Sequence, residues 1–440
     1  MPIPTDAGRS GRTPPAQIHV RPRAGGVPGD LGRPVLPRSK SHAQRSLVVG
    51  GLGAGELRIT HLPEADDVVV MRAAVTALGA RVRDESEGQV VVLASATPPG
   101  GEVECGDNGT ALRTLLAVVG LLGGRGTFTA SERLRERPLA AACSLLASLG
   151  VEVSPTWPLQ MKPNPTMRLP ARLLVDAATT TQPASGALLG MACRARRGLP
   201  TVPVEVVGAR AAGYLALTVE VLEVLGFDIA VSGTEYRVAV PSRSPDEYDV
   251  PIDASAVAFP AALAALHGHA EVGAFVGKDT PRDRHPDWDV LEDLRRIQAA
   301  SDGGTLEFGD LGTRPDTFPA LCVAAAARAG TTILRGAPAL RGKESDRIAA
   351  MATGLRPLGV GCDELPDGLV VRGRTRFDAD GGGPVLLPAP PDHRVVMALA
   401  LLGTRCAAGV AIPHAGAVRK SWPGYFAWLA RVATVAPTAS

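Results

Sequence analysis

The stretch GELRITHLPEADDVVVMRAAVTALGARVRDESEGQVVVL, residues 55–93, shows the unit from which this chain is built. Its first six residues alternate as in a half-buried β-strand, residues 66–78 carry apolar side chains at helical spacing, and residues 90–93 form a short apolar strand. We expect Leu78-Gly79 to end the helix, because glycine readily adopts the left-handed conformation of a helix C-terminus.

The same Leu-Gly ending recurs at residues 149–150, 225–226 and 358–359, at spacings of 71, 76 and 133 residues. A degenerate copy from Val290 to Ile297 divides the longest spacing, and a helix around Tyr425 to Val432 would be the sixth. Leu-Gly pairs could recur by chance in a chain rich in both residues, but the flanking helix and strand patterns recur as well. The sequence therefore predicts six repeats of about 65–75 residues.

A repeat of this size can form its own layer of α/β structure, so six of them could group into two lobes with a ligand cleft between them. Two Pro-containing runs, residues 34–37 and 241–251, are candidate linkers between the lobes. The N-terminus, rich in Pro, Gly and Arg, is predicted to be a disordered tail, with a transit peptide as the alternative. The predicted parts are a tail at 1–16, lobe one at 17–36 together with 252–440, and lobe two at 38–250.

Composition limits the classes of partner. The chain has 440 residues, 45% of them hydrophobic, and a formal net charge of +2, so it has ample material for a core and no overall attraction to nucleic acid or anionic membranes. No apolar run approaches the roughly 18–20 residues of a membrane span. Six well-separated cysteines without metal-ligand spacing indicate reduced thiols. We predict a cytoplasmic monomer that binds small molecules, with no metal, nucleic acid or membrane partner.

Lysine is rare in this chain: only five of the 46 basic residues are lysine. Lys40, Lys343 and Lys420 lie in short polar clusters, whereas Lys162 and Lys278 are expected to be surface residues. Arginine stays protonated, but a lysine in a crowded cationic site can give up a proton. The rarity of lysine elsewhere in the chain favours a chemical role for the lysine ammonium groups of these clusters. The alternative is that these lysines were retained by chance on solvated surfaces.

Seven polar clusters precede or follow predicted helices. Residues 37–45 precede an apolar helix, where amides at the helix start, together with Lys40 and Arg45, favour an anion. Singly, each cluster is explained equally well by helix capping or by a solvated charged surface. The clusters are Pro37 to Arg45, Gly106 to Arg113, Glu132 to Pro138, Thr179 to Gln182, Lys343 to Arg347, Asp392 to Arg394 and Arg419 to Pro423.

No Ser/His/Asp order, HExxH, Walker P-loop or dinucleotide GxGxxG accompanies these clusters. What remains is many cations and two or three carboxylates. That combination suits an enzyme that binds two anionic substrates and moves protons between them.

Taken together and in this order, the clusters resemble the motifs of the enolpyruvyl transferase family, and within it those of the 5-enolpyruvylshikimate-3-phosphate (EPSP) synthases, over about residues 34–430. In the N-terminal half, Pro37 to Arg45 looks like the family's Pro-Gly-Ser-Lys-Ser…Arg, Gly106 to Arg113 like its Gly-Asn-Ala-Gly-Thr-Ala-x-Arg, Arg133 to Pro138 like its Arg-x-x-x-Arg-Pro, and Thr180 to Gln182 like its Ser-Ser-Gln. In the C-terminal half, Pro315-Asp316 looks like its Pro-Asp and Lys343 to Arg347 like its Lys-Glu-Thr-Asp-Arg. Asp392 to Arg394 matches its Asp-His-Arg, and Lys420 to Pro423 resembles its Lys-Thr-Phe-Pro.

The resemblance implies an α/β fold of two lobes, an inverted α/β barrel with three βαβαββ repeats in each lobe and the active site in the cleft between them. It also implies a reaction without cofactor. The enolpyruvyl group of phosphoenolpyruvate (PEP) passes to a hydroxyl of a small phosphorylated acceptor, and phosphate leaves through a tetrahedral intermediate.

Residue roles follow from the same resemblance. Asp316 would take the acceptor proton, Glu344 would serve the PEP methylene, and Lys40 or Lys420 would assist phosphate departure. The implied catalytic set is Lys40, Asp316, Glu344, His393 and Lys420; the implied PEP-binding set is Lys40, Gly109, Arg137, Gln182, Arg347, Arg394 and Lys420; and the implied acceptor-binding set is Ser41, Arg45, Thr180, Thr181, Gln182, Tyr214, Asp316 and Lys343.

The chain departs from the family pattern mainly on the acceptor side. Thr180 and Thr181 replace the family's serines, and Ala211 and Ala339 replace a serine and an asparagine. Elsewhere Arg38 stands for a glycine, and Asp107 stands for an asparagine, which puts a carboxylate near the expected anion.

Four functions therefore stay open. Shikimate 3-phosphate is the expected acceptor, and a nucleotide such as UMP, as in peptidyl-nucleoside antibiotic pathways, is the main alternative. A UDP-N-acetylglucosamine enolpyruvyl transferase is less well supported, because its cysteine loop has no counterpart between Gly106 and Arg137. A non-catalytic ligand-binding relative would not need both Asp316 and Glu344.

Overall fold

The computed structural model describes residues 16–24, 34–164, 166–209, 213–240, 243, 245–269, 273, 276, 283–377 and 383–437. The predicted tail at 1–16 lies outside these ranges except for Ala16, and Ala211 and Lys278 lie outside them as well. Within the described ranges, no helix is long and apolar enough to cross a membrane.

The described residues form 13 α-helices and 20 strands. The helices are α1 Lys40–Leu52, α2 Asp66–Ala77, α3 Gly109–Leu121, α4 Glu132–Arg135, α5 Ala140–Ser148, α6 Gln182–Arg196, α7 Gly213–Val224, α8 Ala254–Leu266, α9 Val290–Ala299, α10 Phe318–Ala326, α11 Arg347–Leu355, α12 His393–Leu402 and α13 Tyr425–Leu429. The strands are β1 Gln17–Pro22, β2 Glu56–Thr60, β3 Arg81–Ser86, β4 Gln89–Leu93, β5 Gly100–Glu104, β6 Arg125–Thr129, β7 Glu152–Val153, β8 Leu159–Lys162, β9 Leu173–Asp176, β10 Val204–Val207, β11 Ile229–Ser232, β12 Glu235–Val238, β13 Glu247–Asp249, β14 Thr305–Phe308, β15 Gly330–Leu334, β16 Gly361–Leu365, β17 Gly368–Gly373, β18 Val385–Leu386, β19 Val410–Pro413 and β20 Ala433–Pro437.

The strands form five four-stranded sheets with one shared pattern, in which a parallel pair is followed by two antiparallel pairings. The strand orders are β13-β2-β4-β3, β5-β6-β8-β7, β9-β10-β12-β11, β14-β15-β17-β16 and β18-β19-β1-β20. This common topology is the repeated unit that the sequence predicted. The predicted copy at Val290 to Ile297 contributes α9 but no sheet among the described residues.

The Leu-Gly pairs end helices as predicted. Gly79, Gly150, Gly226 and Gly359 all have positive φ, of 109°, 66°, 90° and 72°. The predicted last helix, from Tyr425 to Val432, is wrong at its C-terminus, because it ends at Leu429 and the chain then turns to pair β20 with β1.

Two separate hydrophobic cores organise the chain. One runs from Ala43 to Val250, and the other joins Ile18 and Val20 to residues between Ala254 and Ala433. We call the parts built around them lobe two and lobe one; the lobe boundaries given above remain our proposal. At the centre of each lobe lie helices buried along almost their whole length: α1, α3 and α6 in lobe two, and α8, α10 and α12 in lobe one.

Glycines allow two of these buried helices to pack closely. A Cβ at Gly186 of α6 would lie 2.9 Å from Ala117, and one at Gly190 would lie 2.5 Å from Leu121, both on α3. This close packing fixes the starts of α3 and α6 beside each other, at the side of lobe two that faces lobe one.

The chain passes twice between the lobes, and the two passages pair with each other. Ser39 N donates to Pro251 O at 2.8 Å, and Asp253 N donates to Pro37 O at 2.9 Å. Arg38, the substitution for the family's glycine, forms an isolated antiparallel bridge with Ile252 in this crossover, and its guanidinium donates to Val250 O at 3.0 Å.

Candidate active site

A cavity lies between the two cores and receives side chains from both. It contains every residue of the implied catalytic and substrate-binding sets except Arg347 and Arg394, which lie behind its wall in contact with Asp316. The lining residues are Lys40, Ser41, Gln44, Arg45, Asp67, Asn108, Gly109, Thr110, Thr114, Arg137, Thr180, Thr181, Gln182, Ser185, Tyr214, Asp316, Lys343, Glu344, His393 and Lys420.

Helix N-termini are directed into this cavity. Lys40, Gly109, Gln182 and His393 are the first residues of α1, α3, α6 and α12. The free amides and the positive end of a helix dipole favour negative charge at such positions. The fold thus supplies an anion-binding environment before any side-chain charge is considered.

Arg347 holds three carboxylates together on the lobe-one side. Its Nη1 lies 2.7 Å from Asp316 Oδ1, its Nη2 lies 3.0 Å from Glu344 Oε2, and its Nε lies 2.9 Å from Asp392 Oδ2. Burial alone would lower the pKa of Arg347, but Asp392, Glu344 and Asp316 raise it well above its ordinary value. Glu344 lies just before α11, whose N-cap is Asp346, so its ion pair with Arg347 forms across the start of this helix.

Asp316 is surrounded by hydrogen-bond donors. In addition to Arg347, Arg394 Nη2 lies at 3.0 Å, Lys343 Nζ at 3.7 Å, and the Tyr214 hydroxyl donates to Oδ2 at 3.0 Å. Burial would raise the pKa of the Asp316 carboxyl, but Arg394, Lys343 and Arg347 bring it well below its usual range. Asp316 is therefore ionised at neutral pH.

Glu344 is ionised for a similar reason. Its Oε1 lies 3.5 Å from Lys420 Nζ. Burial would raise the pKa of Glu344, but Lys420 and Arg347 lower it well below the ordinary value. The two carboxylates that the sequence assigned to proton transfer thus share Arg347 as a common counter-ion.

Lys40 and Lys420 come from different lobes and meet at Asp67. Lys40 Nζ lies 2.7 Å from Oδ2 of Asp67, and Lys420 Nζ lies 3.8 Å from Oδ1. Asp67 was not predicted as a site residue, because the pair Asp66-Asp67 at the start of α2 is explained by helix-start preference alone. No signal in the sequence linked it to Lys40.

Asp107 is not directed at the expected anion. Its carboxylate accepts from Ser131 Oγ at 2.5 Å and pairs with Arg133, while its backbone carbonyl accepts from Lys420 Nζ at 2.9 Å. The carboxylate that the sequence puts near the expected anion thus has a cationic partner of its own in Arg133. The asparagine next to it, Asn108, caps α3 and donates to Gln44 at 2.8 Å.

Arg137 is available to an incoming anion. Its Nε is buried without a hydrogen-bond partner among the described residues, and its Nη1 would lie 3.1 Å from a Cβ added at Gly109. The neighbouring Arg113 is already engaged, since its Nη1 donates to Gln182 Oε1 at 2.9 Å and it also donates to Pro138 O. Burial, followed by Arg137, lowers the pKa of Arg113 to about 10.

On the acceptor side, Arg45 is fixed by its own lobe. Its Nε donates to Thr218 Oγ1 at 2.9 Å and its Nη1 to Ser41 O at 2.9 Å. Burial lowers the pKa of Arg45 to about 10, which leaves it protonated at neutral pH. Ser185 lines the cavity beside it and hydrogen-bonds Thr218 at 2.9 Å; both belong to buried helices and were missed, because their sequence surroundings predict only helix cores.

The surroundings of two further positions, His393 and Ala339, were not evident from the sequence. His393 is 1% exposed, and neither ring nitrogen has a hydrogen-bond partner among the described residues. Burial, Lys40 and Arg394 lower the pKa of His393 well below its ordinary value, so it enters the cavity as a neutral imidazole. Ala339 is exposed in the turn Pro338–Gly342 and does not line the cavity.

Around the cavity, positive charge exceeds negative charge. Seven cations line it or pair with its carboxylates, against four carboxylates, which leaves an excess of three positive charges in the part of the chain that the structure describes. The described ranges hold no group of three or more His, Cys, Asp or Glu side chains that could bind a metal ion. The cations are Lys40, Arg45, Arg137, Lys343, Arg347, Arg394 and Lys420, and the carboxylates are Asp67, Asp316, Glu344 and Asp392.

Comparison with proteins of known sequence agrees with this geometry. A 3-phosphoshikimate 1-carboxyvinyltransferase from Thermococcus kodakarensis is 32% identical over 417 residues, which cover 92% of this chain and 98% of that protein. A pentafunctional AROM polypeptide from Yarrowia lipolytica is 31% identical over 427 residues, but this chain spans only 27% of its length.

Solved structures share the fold. An EPSP synthase from Acinetobacter baumannii aligns with a TM-score of 0.68 at 21% identity, over 96% of this chain and 99% of that one. The enolpyruvyl transferase NikO from Streptomyces tendae aligns with a TM-score of 0.66 at 16% identity, over 97% and 100%. The predicted two-lobed inverted α/β barrel is confirmed.

The family model of EPSP synthase (3-phosphoshikimate 1-carboxyvinyltransferase) matches residues 31–429, nearly the whole chain. The chain therefore belongs to the EPSP synthase family of enolpyruvyl transferases.

Proposed function

We propose that this protein transfers the enolpyruvyl group of PEP to a hydroxyl of shikimate 3-phosphate and releases phosphate. The observation that carries the proposal is the pair of ionised carboxylates, Asp316 and Glu344, held on either side of Arg347 in a cavity with excess positive charge. The acceptor assignment is supported by the relative named 3-phosphoshikimate 1-carboxyvinyltransferase, which this chain matches over 98% of its length.

In the first step, Glu344 would deliver a proton to the methylene carbon of PEP. Its pKa is low, although burial alone would raise it, because Lys420 and Arg347 stabilise the carboxylate. The phosphate and carboxylate of PEP would take over these cations. The pKa of Glu344 would then rise towards the value that burial favours, so that the carboxyl could hold the proton it must transfer.

The acceptor hydroxyl would then add to the cationic carbon while Asp316 takes its proton. Asp316 is positioned for this step by Tyr214 and Arg394, each with a 3.0 Å contact to Oδ2. Collapse of the tetrahedral intermediate returns the methyl proton to Glu344 and breaks the carbon–oxygen bond to phosphate. Lys40 and Lys420, joined at Asp67, would stabilise the departing phosphate, and the proton that Asp316 took from the acceptor would pass through solvent to this phosphate, which leaves Asp316 ionised again.

Positions of the predicted PEP ligands support a binding site on the lobe-two side of Glu344. Arg137, Gly109 and Gln182 lie together there, and Gln182 is held by Arg113 and by Thr110, to which its Nε2 donates at 2.9 Å. We place the acceptor beside it, near Thr180, Thr181, Ser41, Arg45 and Lys343.

A Gly109→Ala substitution tests the PEP side. The new Cβ would lie 2.7 Å from Arg113 Nη1 and 3.1 Å from Arg137 Nη1. Because Arg113 is fixed by Gln182, we expect Arg137 to be displaced and KM for PEP to rise about tenfold, equivalent to a loss of about 1.4 kcal/mol of binding. Gly309→Ala is the matched control, since its Cβ would meet no atom within 4 Å. Equal KM values for PEP in both variants would contradict this placement.

A nucleotide acceptor such as UMP is the second candidate. The observation that favours it is the replacement of the family's two phosphate-binding serines by Thr180 and Thr181, both of which line the cavity. Their extra methyl groups alter the shape of the acceptor site while keeping the hydroxyl donors.

Phosphate release from PEP, measured with each acceptor supplied singly, distinguishes the two. We expect turnover with shikimate 3-phosphate and none with UMP. The converse result would overturn the acceptor assignment and leave the enolpyruvyl transfer standing, whereas release with neither acceptor would reject both candidates.

A further inference from the structure

A segment of lobe one, Asp283 to Trp288, lies behind the acceptor side of the cavity without lining it, and its residues His285, Asp287 and Trp288 are buried. His285 is 3% exposed and Asp287 is fully buried. Neither belongs to the residues that line the cavity, and no step of the proposed reaction uses them. A buried imidazole beside buried carboxylates is costly to maintain unless its contacts serve the fold or the site.

The segment contacts two helices of lobe two, α7 and, through the contacts of His285 and Asp283 with His42, α1. Arg284 N donates to Glu220 Oε2 at 2.7 Å, and Arg284 Nη1 pairs with Glu223 at 2.9 Å, both on α7. A Cβ at Gly213, the first residue of α7, would lie 2.6 Å from Pro286. The segment therefore sits tightly against the start of α7, one residue before Tyr214.

His285 is held in one orientation. Its Nδ1 accepts a hydrogen bond from Asp287 N at 3.2 Å, and its own backbone N donates to Asp283 Oδ1 at 3.1 Å. On one face its ring stacks against His42 of α1 at 6.4 Å, and His42 Nε2 lies 3.3 Å from Asp283 Oδ2. With Nδ1 occupied as an acceptor, a neutral ring carries its proton on Nε2.

The ring of His285 contacts Tyr214 edge-on, with centroids 5.4 Å apart and an interplanar angle of 74°. Tyr214 in turn donates from its hydroxyl to Asp316 Oδ2 at 3.0 Å, and its carbonyl lies 3.4 Å from Arg45 Nη2. A continuous chain of contacts thus joins the Asp283 to Trp288 segment to Asp316, which would take the acceptor proton, and to Arg45, a cation on the acceptor side.

We propose that His285 is a positioning residue for the acceptor: its ring fixes Tyr214, and Tyr214 orients Asp316. This inference rests on the proposed function, and it deepens that function by naming a lobe-one residue outside the cavity that determines how the acceptor is held. Arg137 and Gln182, on the PEP side, have no contact with His285 among the interactions of the described residues. The implied PEP ligands Arg347 and Arg394 are reached from His285 only beyond Asp316, so we expect its effect to be larger on the acceptor than on PEP.

A His285→Asn substitution separates the ring from the backbone hydrogen bond. Asparagine can still accept from Asp287 N, as a residue at a helix start does, but it has no ring to contact Tyr214. We expect KM for the acceptor to rise about five- to tenfold, the size expected from losing an aromatic edge contact. We expect KM for PEP and the thermal midpoint to stay close to those of the unchanged protein.

His267→Asn is the matched control, because it changes another imidazole of lobe one, whose Nε2 pairs with Thr404 at 2.8 Å away from the cavity. A Tyr214→Phe background supplies the decisive comparison. If His285 acts through the Tyr214 hydroxyl and Asp316, then His285→Asn has less effect on acceptor KM in that background than alone. If His285→Asn does not fold, His285→Gln replaces it with the same expected result.

The outcomes separate the two claims. Turnover with UMP but not with shikimate 3-phosphate refutes the acceptor assignment alone, and the KM comparison is then made with UMP. An unchanged acceptor KM, or an equal rise in both KM values with a lowered thermal midpoint, overturns the role of His285 alone. No turnover with either acceptor refutes the proposed function and the acceptor role of His285 together.

Discussion

Glu344→Gln is expected to lower kcat by about 10²- to 10⁴-fold, the range that a positioned acid–base group contributes. Glutamine keeps the size of the side chain and can still accept from Arg347, but it can neither deliver a proton to the PEP methylene nor remove one from the intermediate. The KM for PEP should change much less than kcat, because the cations that bind PEP remain in place. Steady-state phosphate release with both substrates varied measures the two constants.

Glu364→Gln is the control for this change. Glu364 lies on β16 of the same lobe and pairs with Arg341 and Arg356 away from the cavity. Its substitution should leave kcat unchanged, because Glu364 contacts no residue of the cavity. The fold should also be retained, since partly exposed ion pairs contribute little to stability. If Glu344→Gln and Glu364→Gln have the same kcat as the unchanged protein, Glu344 has no role in proton transfer.

Arg347→Met is expected to reduce the free energy of unfolding by about 3–5 kcal/mol and to abolish turnover. The large effect follows from leaving the buried carboxylate of Asp392 and the largely buried ones of Asp316 and Glu344 without their shared counter-ion. Arg72→Met, which removes an exposed pair with Asp84 on the surface of lobe two, should cost at most about 1 kcal/mol. Denaturant unfolding of both variants checks the difference.

The same substitution should change how stability depends on pH. The pKa values of folded Asp316 and Glu344 are lowered despite burial, by Arg394 and Lys343 for Asp316 and by Lys420 for Glu344, with Arg347 acting on both. Their contribution to stability is therefore complete above their ordinary pKa values, and it is lost only as pH falls through the lowered ones. Without Arg347 these pKa values rise towards the ordinary ones, so the loss of stability on acidification should be smaller and should end at higher pH. An unfolding free energy with the same pH dependence in both proteins would contradict the shared-counter-ion role of Arg347.

Local signals in the sequence were sufficient for the fold and for part of the site. The glycine at 79 and its three counterparts end helices because a left-handed residue is needed there, and this requirement is visible without a structure. The family motifs led to the residues that reach the cavity from helix starts, such as Lys40 and Gln182, because helix starts are marked by local residue preferences.

Contacts between distant segments could not be read in the same way. Asp67 contacts both Lys40 of its own lobe and Lys420 of the other lobe. Asp67 and Lys420 are 353 positions apart in the chain. Thr218 and Ser185 hold Arg45 from inside helices whose pattern indicates only burial. The partner of Asp107, Arg133, belongs to a different cluster, and no local pattern in the sequence indicates that the two pair.

The paired crossover between the lobes has a mechanical consequence. Ser39 N is hydrogen-bonded to Pro251 O, and Ser39 is also the N-cap of α1, whose first residue is Lys40. Any rotation of one lobe against the other must twist these two short segments about their common bridge, because they are the covalent links between the cores in the described chain. This bridge is thus one residue from Lys40, a cation of the cavity, and rotation about it moves Lys420 of lobe one relative to Asp67 of lobe two. A rotation of the lobes therefore also changes the positions of the charges around the cavity. Opening the cavity would alter the electrostatic field that acts on a substrate inside it.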